Sequence, residues 1–362
     1  MKKVNKTKRA KSGTKKIKAL CLFSGGLDSI VATRMMKALG FDVELLYFNS
    51  PIYNCFGKEG RFTPEETARK MGLKLTIMHK GIDYIETIRN AKHGYGTGMN
   101  PCVDCRIYIL KKAKEYAKYT GADFIFTGEV LGERPLSQTK QALEIIERES
   151  GLVGKIVRPL SGRLLPTTEA EKKGWIKKKD MLSISGRDRK IQINMAKKWG
   201  LEFPSPAGGC ILTEKQYGMR LKDLFKHVRD VDLRDLTLLS IGRHFRLNGS
   251  KIIVGRRETE NMVLKQLKRP EDALFECDEG VMGPITLLQG NKTDKAINIA
   301  ARLTAHFSDA KKGGMKRVKV NFWLEKPEES EPKKKMPAPS SLDIDKESKN
   351  GLIWIGQNGD LK

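Results

Sequence analysis

The chain has 362 residues, enough for two domains of ordinary size. Lys and Arg number 69 against 43 Asp and Glu, a formal charge of +26, which points to polyanionic partners such as RNA. No apolar run approaches the ~20 residues of a membrane span. The basic N-terminus leads into no signal-type apolar segment, so a cytoplasmic protein is expected. Six cysteines spread over this length are not a disulfide framework; they suit reduced thiols, open to metal binding or catalysis.

Residues 1–16 read as a basic, disordered tail able to touch RNA phosphates. Ile17–Phe23 reads as a strand. Ser24-Gly25-Gly26-Leu27-Asp28-Ser29 then makes a tight turn into a helix over Ile30–Leu39. Two adjacent glycines let the backbone turn sharply and expose its N–H groups. With the positive end of the helix and two serine hydroxyls, that turn is expected to hold a nucleotide phosphate. Val43–Phe48 is a second strand. Thr63–Met71 is a helix with Pro64 in its first turn. Leu73–Met78 is a third strand, Ile82–Asn90 a helix, and Lys92–Asn100 a glycine-rich, mobile loop. Cys102–Thr120 reads as a helix with Ile107, Leu110, Ala113, Tyr116 and Ala117 on one stripe. Phe124–Thr127 is a fourth strand. Alternating strands and helices predict a parallel sheet covered on both faces, with ligands beyond the carboxyl ends of its strands.

Gln138–Glu149 continues as a helix, Lys155–Pro159 as a strand, and Asn194–Trp199 as a helix. The run Lys172–Lys179 is basic around a tryptophan, and Lys177, Lys178 and Lys179 are candidate RNA contacts. The first domain is expected to span 17–213. Residues 214–240 read as a charged connector, helical over Arg220–Leu239, and 241–325 as a smaller α+β domain. That domain should hold a hairpin around Asn248-Gly249, a helix at Glu260–Lys268, a strand at Ile285–Leu288, a helix at Asp294–Ser308 and a strand at Val318–Trp323. Residues 326–362, rich in Lys, Glu, Pro and Ser, are expected to be an unstructured tail.

The phosphate turn has no Gly-Lys-Ser/Thr ending, so no lysine is built to hold a γ-phosphate. Ser24–Ser29, SGGLDS, resembles the PP-loop signature of the ATP pyrophosphatases. Those enzymes cleave ATP between the α- and β-phosphates and adenylate an acceptor oxygen. The bland alternative is a Gly-Gly turn with a serine cap. The resemblance implies ATP on Ser24, Gly25, Gly26, Leu27, Asp28 and Ser29, with Asp28 near Mg²⁺. Thr127-Gly128-Glu129, Ser137-Gln138-Thr139 and Arg158-Pro159-Leu160 resemble the TGE, SQT and RPL series of the 4-thiouridine synthetase PP-loop domain, over roughly Ile17–Thr213. That resemblance implies a Rossmann-like α/β fold of the adenine nucleotide alpha hydrolase kind. It sets Gly128 near the nucleotide and Ser137, Gln138 and Thr139 near the adenylation centre. Arg158 would be a fixed cation for developing phosphate charge, or else a surface charge beside Pro159.

Cys102 and Cys105 stand at C-x-x-C spacing where a glycine-rich loop enters a helix, and helix N-termini favour thiolate. Cys210 lies in a second Gly/Pro-rich loop. Three convergent thiolates are one short of a closed zinc site and suit an iron–sulfur cluster with one open iron. Some PP-loop thiouridine synthetases hold a 4Fe–4S cluster on three such cysteines. Others use a persulfide and a resolving cysteine. The resemblance favours the cluster type. Cys21, Cys55 and Cys277 read as structural.

Gly242-Arg243-His244-Phe245-Arg246, Val254-Gly255-Arg256-Arg257 and Ala300–Lys312 resemble the RNA-binding domain of the NFACT family. Arg243, Arg246, Arg256 and Arg257 would then contact RNA; a dimerisation or lid domain is the alternative. Taken together, the resemblances imply ATP-dependent thiolation of a tRNA uridine, with a cysteine desulfurase or sulfide as sulfur donor. The rivals are an ATP-dependent amidase or ligase, and an RNA-binding factor whose PP-loop domain senses nucleotide.

Overall fold

A computed structural model describes residues 16–52, 63–204, 210–324, 334–339, 342, 347 and 351–355. They fall into two compact units. The first takes the described residues of Met1–Asn49, Lys58–Lys80 and Cys102–Gly208, and the second those of Ser50–Gly57, Gly81–Pro101 and Gly209–Lys362. Sequence reading keeps 17–213 as one domain, but Gly81–Pro101 groups with the C-terminal unit. The ties are specific. Arg89 Nη1 donates to Arg229 O at 2.7 Å, its guanidinium lies 4.8 Å from the Phe225 ring centre, and Met99 N–H donates to Leu212 O at 2.9 Å.

The first unit begins with β1 (Lys18–Leu22), α1 (Leu27–Ala38), β2 (Asp42–Asn49), α2 (Pro64–Met71) and β3 (Leu75–His79). After α3 (Ile82–Arg89), which lies in the second unit, it resumes with α4 (Cys102–Thr120), β4 (Phe124–Thr127) and α5 (Lys140–Ser150). It ends with β5 (Ile156–Val157), α6 (Glu169–Lys172) and α7 (Lys190–Lys198). The sheet order is β3-β2-β1-β4-β5, all parallel. The expected parallel α/β fold is therefore present. Successive side chains of β1 enter opposite cores, as strand geometry requires. Ala19 and Cys21 pack with Ile30, Met36 and Phe126 on one face, whereas Leu20 and Leu22 pack with Leu110, Ile125 and Ile146 on the other. Both faces being covered explains the nearly unbroken apolar strands.

The strand order decides where a ligand can sit. The chain lays β1, β2 and β3 outward to one side, then crosses to β4 on the other side of β1. Leu22 pairs with Thr127, so the carboxyl ends of β1 and β4 lie side by side. The loops that leave them flank this switch point, the usual ligand position in open α/β sheets.

The second unit contains α8 (Lys215–His227), α9 (Leu233–Leu239), β6 (Arg243–Leu247), β7 (Ser250–Val254), α10 (Glu258–Gln266) and β8 (Ala273–Cys277). Then follow β9 (Thr286–Gln289), α11 (Asp294–His306), β10 (Arg317–Trp323), β11 (Lys334–Pro339) and β12 (Leu352–Ile355). Its sheet runs β11-β10-β8-β9-β7-β6-β12 through antiparallel pairs, so the α+β expectation holds. The helical character expected of the 214–240 connector is found: it forms α8 and α9, whose Leu221, Leu224, Leu236 and Leu239 are buried. Two expectations need correction. The expected tail of 326–362 contributes two strands. The apolar run Leu352–Ile355 pairs with β6 and sets Trp354 5.0 Å from the Phe245 ring, enough apolar burial to outweigh the polar composition around it. The Lys92–Asn100 loop is not mobile but tied down: Tyr95 donates its hydroxyl to Ile88 O, Gly96 N–H bonds Asn100 O, and Gly98 N–H bonds Asn100 Oδ1. Among the described residues no helix is long and apolar enough to cross a membrane.

The β6–β7 hairpin turns on Asn248 at φ 50°, a left-handed conformation Asn tolerates and a β-branched residue does not. Asn248→Val is expected to lower stability by about 1–2 kcal/mol in urea unfolding, with Asn248→Gly near neutral.

Candidate functional site

The turn after β1 is built by its glycines and closed by its serines. Gly25 takes φ +74°, and a Cβ there would lie 3.2 Å from Pro64 Cα. Ser29 Oγ donates to Gly26 O at 2.8 Å, Ser24 Oγ donates to Ser29 Oγ at 3.2 Å, and Gly26 N–H donates to Ser24 Oγ at 3.3 Å. The two hydroxyls thus sit together at the start of α1, at its positive end. Leu27 is buried in the core, so only its main chain can face a ligand. Gly128, leaving β4, lies directly against this turn: a Cβ on it would fall 2.5 Å from Ser29 N and 2.6 Å from the Asp28 carbonyl carbon. Only glycine permits that approach.

Asp28 meets partners that sequence reading missed. Gln192 donates Nε2 to its Oδ1 at 3.2 Å, and Arg189 Nη2 lies 3.7 Å from its Oδ2. Arg189 also pairs with Glu133, its Nε donating to Glu133 Oε1 at 2.9 Å. These residues reach Asp28 because α7 starts a turn earlier than its apolar pattern indicates. Burial raises the Asp28 carboxyl, Glu133 adds to that, and Arg189 opposes it. Its Oδ2, beyond hydrogen-bond distance of Arg189, fits a Mg²⁺ ion of the kind held by one carboxylate and substrate phosphates.

The later motif residues divide. Ser137 and Gln138 are buried, and Gln138 turns its Oε1 onto Arg134 N–H at 3.1 Å, closing its own loop. Thr139 caps α5, its Oγ1 accepting from Ala142 N at 3.1 Å. Arg158 is neither an open cation nor a surface charge. It is 4% exposed, donates Nε to Glu129 Oε2 at 2.9 Å and Nη1 to Glu147 Oε1, so two carboxylates already neutralise it. Glu129 is the centre of this group. Arg106 Nη2 reaches its Oε1 at 2.7 Å and Thr127 Oγ1 donates to its Oε2 at 3.0 Å. Burial would raise the Glu129 carboxyl; Arg106 and Arg158 overcome that and hold it at about 2.

Cys102 and Cys105 lie half-buried in the first turn of α4, and Lys80 Nζ donates to Cys105 Sγ at 3.6 Å. Cys210 is exposed and belongs to the second unit. Cys55 lies outside the described residues. Among the described residues no three Cys, His, Asp or Glu side chains are placed to hold a metal ion. Cys21 and Cys277 are buried, and burial pushes their thiols up to about 12 and about 11.

Of the arginines expected to meet RNA, Arg246 is an internal ion pair. It is 7% exposed and grips Asp223 with Nε at 3.0 Å and Nη2 at 2.6 Å, while Lys251 approaches the same carboxylate at 3.5 Å. Arg256 is exposed but bonded to Glu260 at 2.6 Å, and half-buried Arg243 lies 4.4 Å from the Phe307 ring centre. Lys178 is half-buried and donates to Leu165 O. Arg257, Lys177 and Lys179 are exposed. Arg317 and Lys319 were not expected: the alternating burial of β10 puts both on its solvent side.

Comparison with known proteins separates along the same chain. Residues 13–164 match the family model described as thiamine biosynthesis protein (ThiI), and residues 242–341 match the NFACT protein RNA binding domain. The N-terminal part is ThiI-like and the C-terminal part NFACT-like. The ThiI-like part is 32% identical over 148 residues to a probable tRNA sulfurtransferase of Methanocaldococcus jannaschii, covering 40% of this chain and 37% of that protein. The chain thus spans well under half the length of that relative. A 4-thiouridine synthetase in complex with RNA and ATP is 23% identical, covers 50% of each chain, and has a TM-score of 0.30. The U34-tRNA thiolase NcsA of Methanococcus maripaludis, solved with its [4Fe-4S] cluster, is 17% identical over 58% of this chain and 64% of that one, also at 0.30. A TM-score of 0.30 is too low for either likeness to bear on this chain's chemistry.

Two variants test these placements. Gly128→Ala forces backbone atoms apart and is expected to cost about 1–3 kcal/mol in thermal unfolding, with ATP binding weakened as well. Arg246→Ala removes the two hydrogen bonds that Asp223 accepts from it, leaving Lys251 beside the carboxylate, and should destabilise the second unit by about 1–3 kcal/mol, whereas Arg257→Ala should leave stability unchanged and weaken RNA binding in a filter assay.

Proposed function

We infer that this protein is an ATP-dependent tRNA thiolation enzyme. The observation that carries this reading is the meeting of the Ser24–Ser29 turn with Gly128 at the ends of adjacent parallel strands, in the unit that also presents Cys102 and Cys105 on α4. ATP phosphates take the N–H groups and hydroxyls of the turn. Mg²⁺, when bound, would neutralise phosphate charge beside Asp28, a carboxylate that Gln192 and the Glu133-paired Arg189 hold in place. A uridine carbonyl oxygen attacks the α-phosphate, pyrophosphate leaves, and the adenylated base is activated. A persulfide sulfur carried on one cysteine of the Cys102–Cys105 pair attacks the adenylated carbon and AMP leaves; the thiolate of the other cysteine then attacks the cysteine-bound sulfur, releasing the thiolated base and leaving a disulfide that an external thiol reductant reopens. The protein's share is alignment and charge stabilisation. The sulfurtransferase relative supports the sulfur step, and the NFACT-like part with its exposed basic side chains supports an RNA substrate.

Purified protein with ATP, Mg²⁺, a sulfur donor and tRNA from a strain lacking this protein is expected to release pyrophosphate only when tRNA is present. Nucleoside analysis of the same tRNA should show one thiolated base restored. Pyrophosphate release that ignores tRNA would sink the reading. A visible iron–sulfur absorption band in anaerobically prepared protein would assign the sulfur to a cluster instead of the cysteine pair alone.

A further inference from the structure

Within the first unit, one carboxylate touches both halves of the proposed chemistry. Glu129 follows Gly128, the residue pressed against Ser29 and Asp28. It also grips Arg106, the residue that follows Cys105. Glu129 is 6% exposed and its two oxygens are divided, Oε1 to Arg106 at 2.7 Å and Oε2 to Arg158 at 2.9 Å and Thr127 at 3.0 Å. Arg158 has a second acid in Glu147; the acid paired with Arg106 is Glu129. A buried carboxylate is kept only when charge partners compensate its desolvation, so this pairing fixes geometry more than it adds stability.

We propose that Glu129 is a positioning residue that, through Arg106, holds the first turn of α4 and its Cys105 in register with the nucleotide turn. It touches neither ATP nor sulfur. Its effect is to keep the cysteine-bearing helix aligned with the site where the base is adenylated, a matter in which a shift of about 1 Å can cost about 100-fold in rate. The inference rests on the thiolation reading, and it separates the two chemical steps. Adenylation needs Gly128 and the turn; sulfur transfer also needs α4 in place.

The test is Glu129→Gln, which keeps size and loses charge, alongside Arg106→Gln, Arg106→Lys and the Glu129→Gln/Arg106→Gln pair. Pyrophosphate release should stay within a few-fold of the unaltered protein while thiolated uridine falls on the order of 10- to 100-fold. The double variant should be no worse than either single one, and Arg106→Lys should recover much of the loss. Equal loss of both steps, no loss of either, or additive effects in the double variant would overturn the proposal. Should Glu129→Gln not fold, the Arg106 variants carry the same comparison. Iodoacetamide labelling of Cys105 in a Cys102→Ser background needs neither ATP nor tRNA. A changed labelling rate in Arg106→Gln supports the positioning role even if the thiolation reading fails, and an unchanged rate counts against it.

Discussion

The first unit depends on one close approach: the backbone of Gly128 against the backbone of Ser29 and Asp28. It exists because β1 and β4 are neighbours and parallel, so both end at the same edge. They are neighbours because the chain builds β2 and β3 to one side before crossing back. A side chain at 128 would push α1 away from β4 and close the space where N–H groups, hydroxyls and Asp28 converge. The conformation of the turn is local, but its close neighbour Gly128 is brought to it by the crossover.

Both units spend their arginines inside. Arg158 and Arg106 clasp Glu129 in the first, and Arg246 with Lys251 clasps Asp223 in the second. Burial pulls Lys251 down to about 8, and Asp223 pulls it back the other way. Removing a charge from water is costly, so each of these groups is tied into a compensating set, and each set fixes where its elements sit. The formal charge of +26 already subtracts these acids, so the pairs leave the net charge almost unchanged and decide only which side chains carry it at the surface. What reaches solvent comes from side chains such as Lys177, Lys179, Arg257, Arg317 and Lys319.

Much of the local structure is legible along the chain. The Thr63 cap with Pro64, the Asn248-Gly249 hairpin and the apolar stripe of α4 each follow from short-range sterics and periodicity, and each is found. Tyr116 packs half-buried against the same core as the rest of its stripe and donates its hydroxyl to Glu44 at 2.7 Å. The strands at Ala273–Cys277 and Leu352–Ile355 were not legible. Short apolar runs in polar surroundings become strands only when a partner edge is available.

The sequence alone determined the glycine turn between β1 and α1, the parallel α/β class, the cysteine pair at a helix start and the two resemblances. These rest on neighbours within a few residues, or on motifs that keep their spacing. Only the tertiary structure decided that Arg158 and Arg246 are internal, that Arg189 and Gln192 face Asp28, and that Gly81–Pro101 groups with the C-terminal unit. An arginine looks the same in a sequence whether its partner is a phosphate or a buried carboxylate. The partner can lie 23 or 56 residues away, and desolvation is set by whatever the fold brings around the pair.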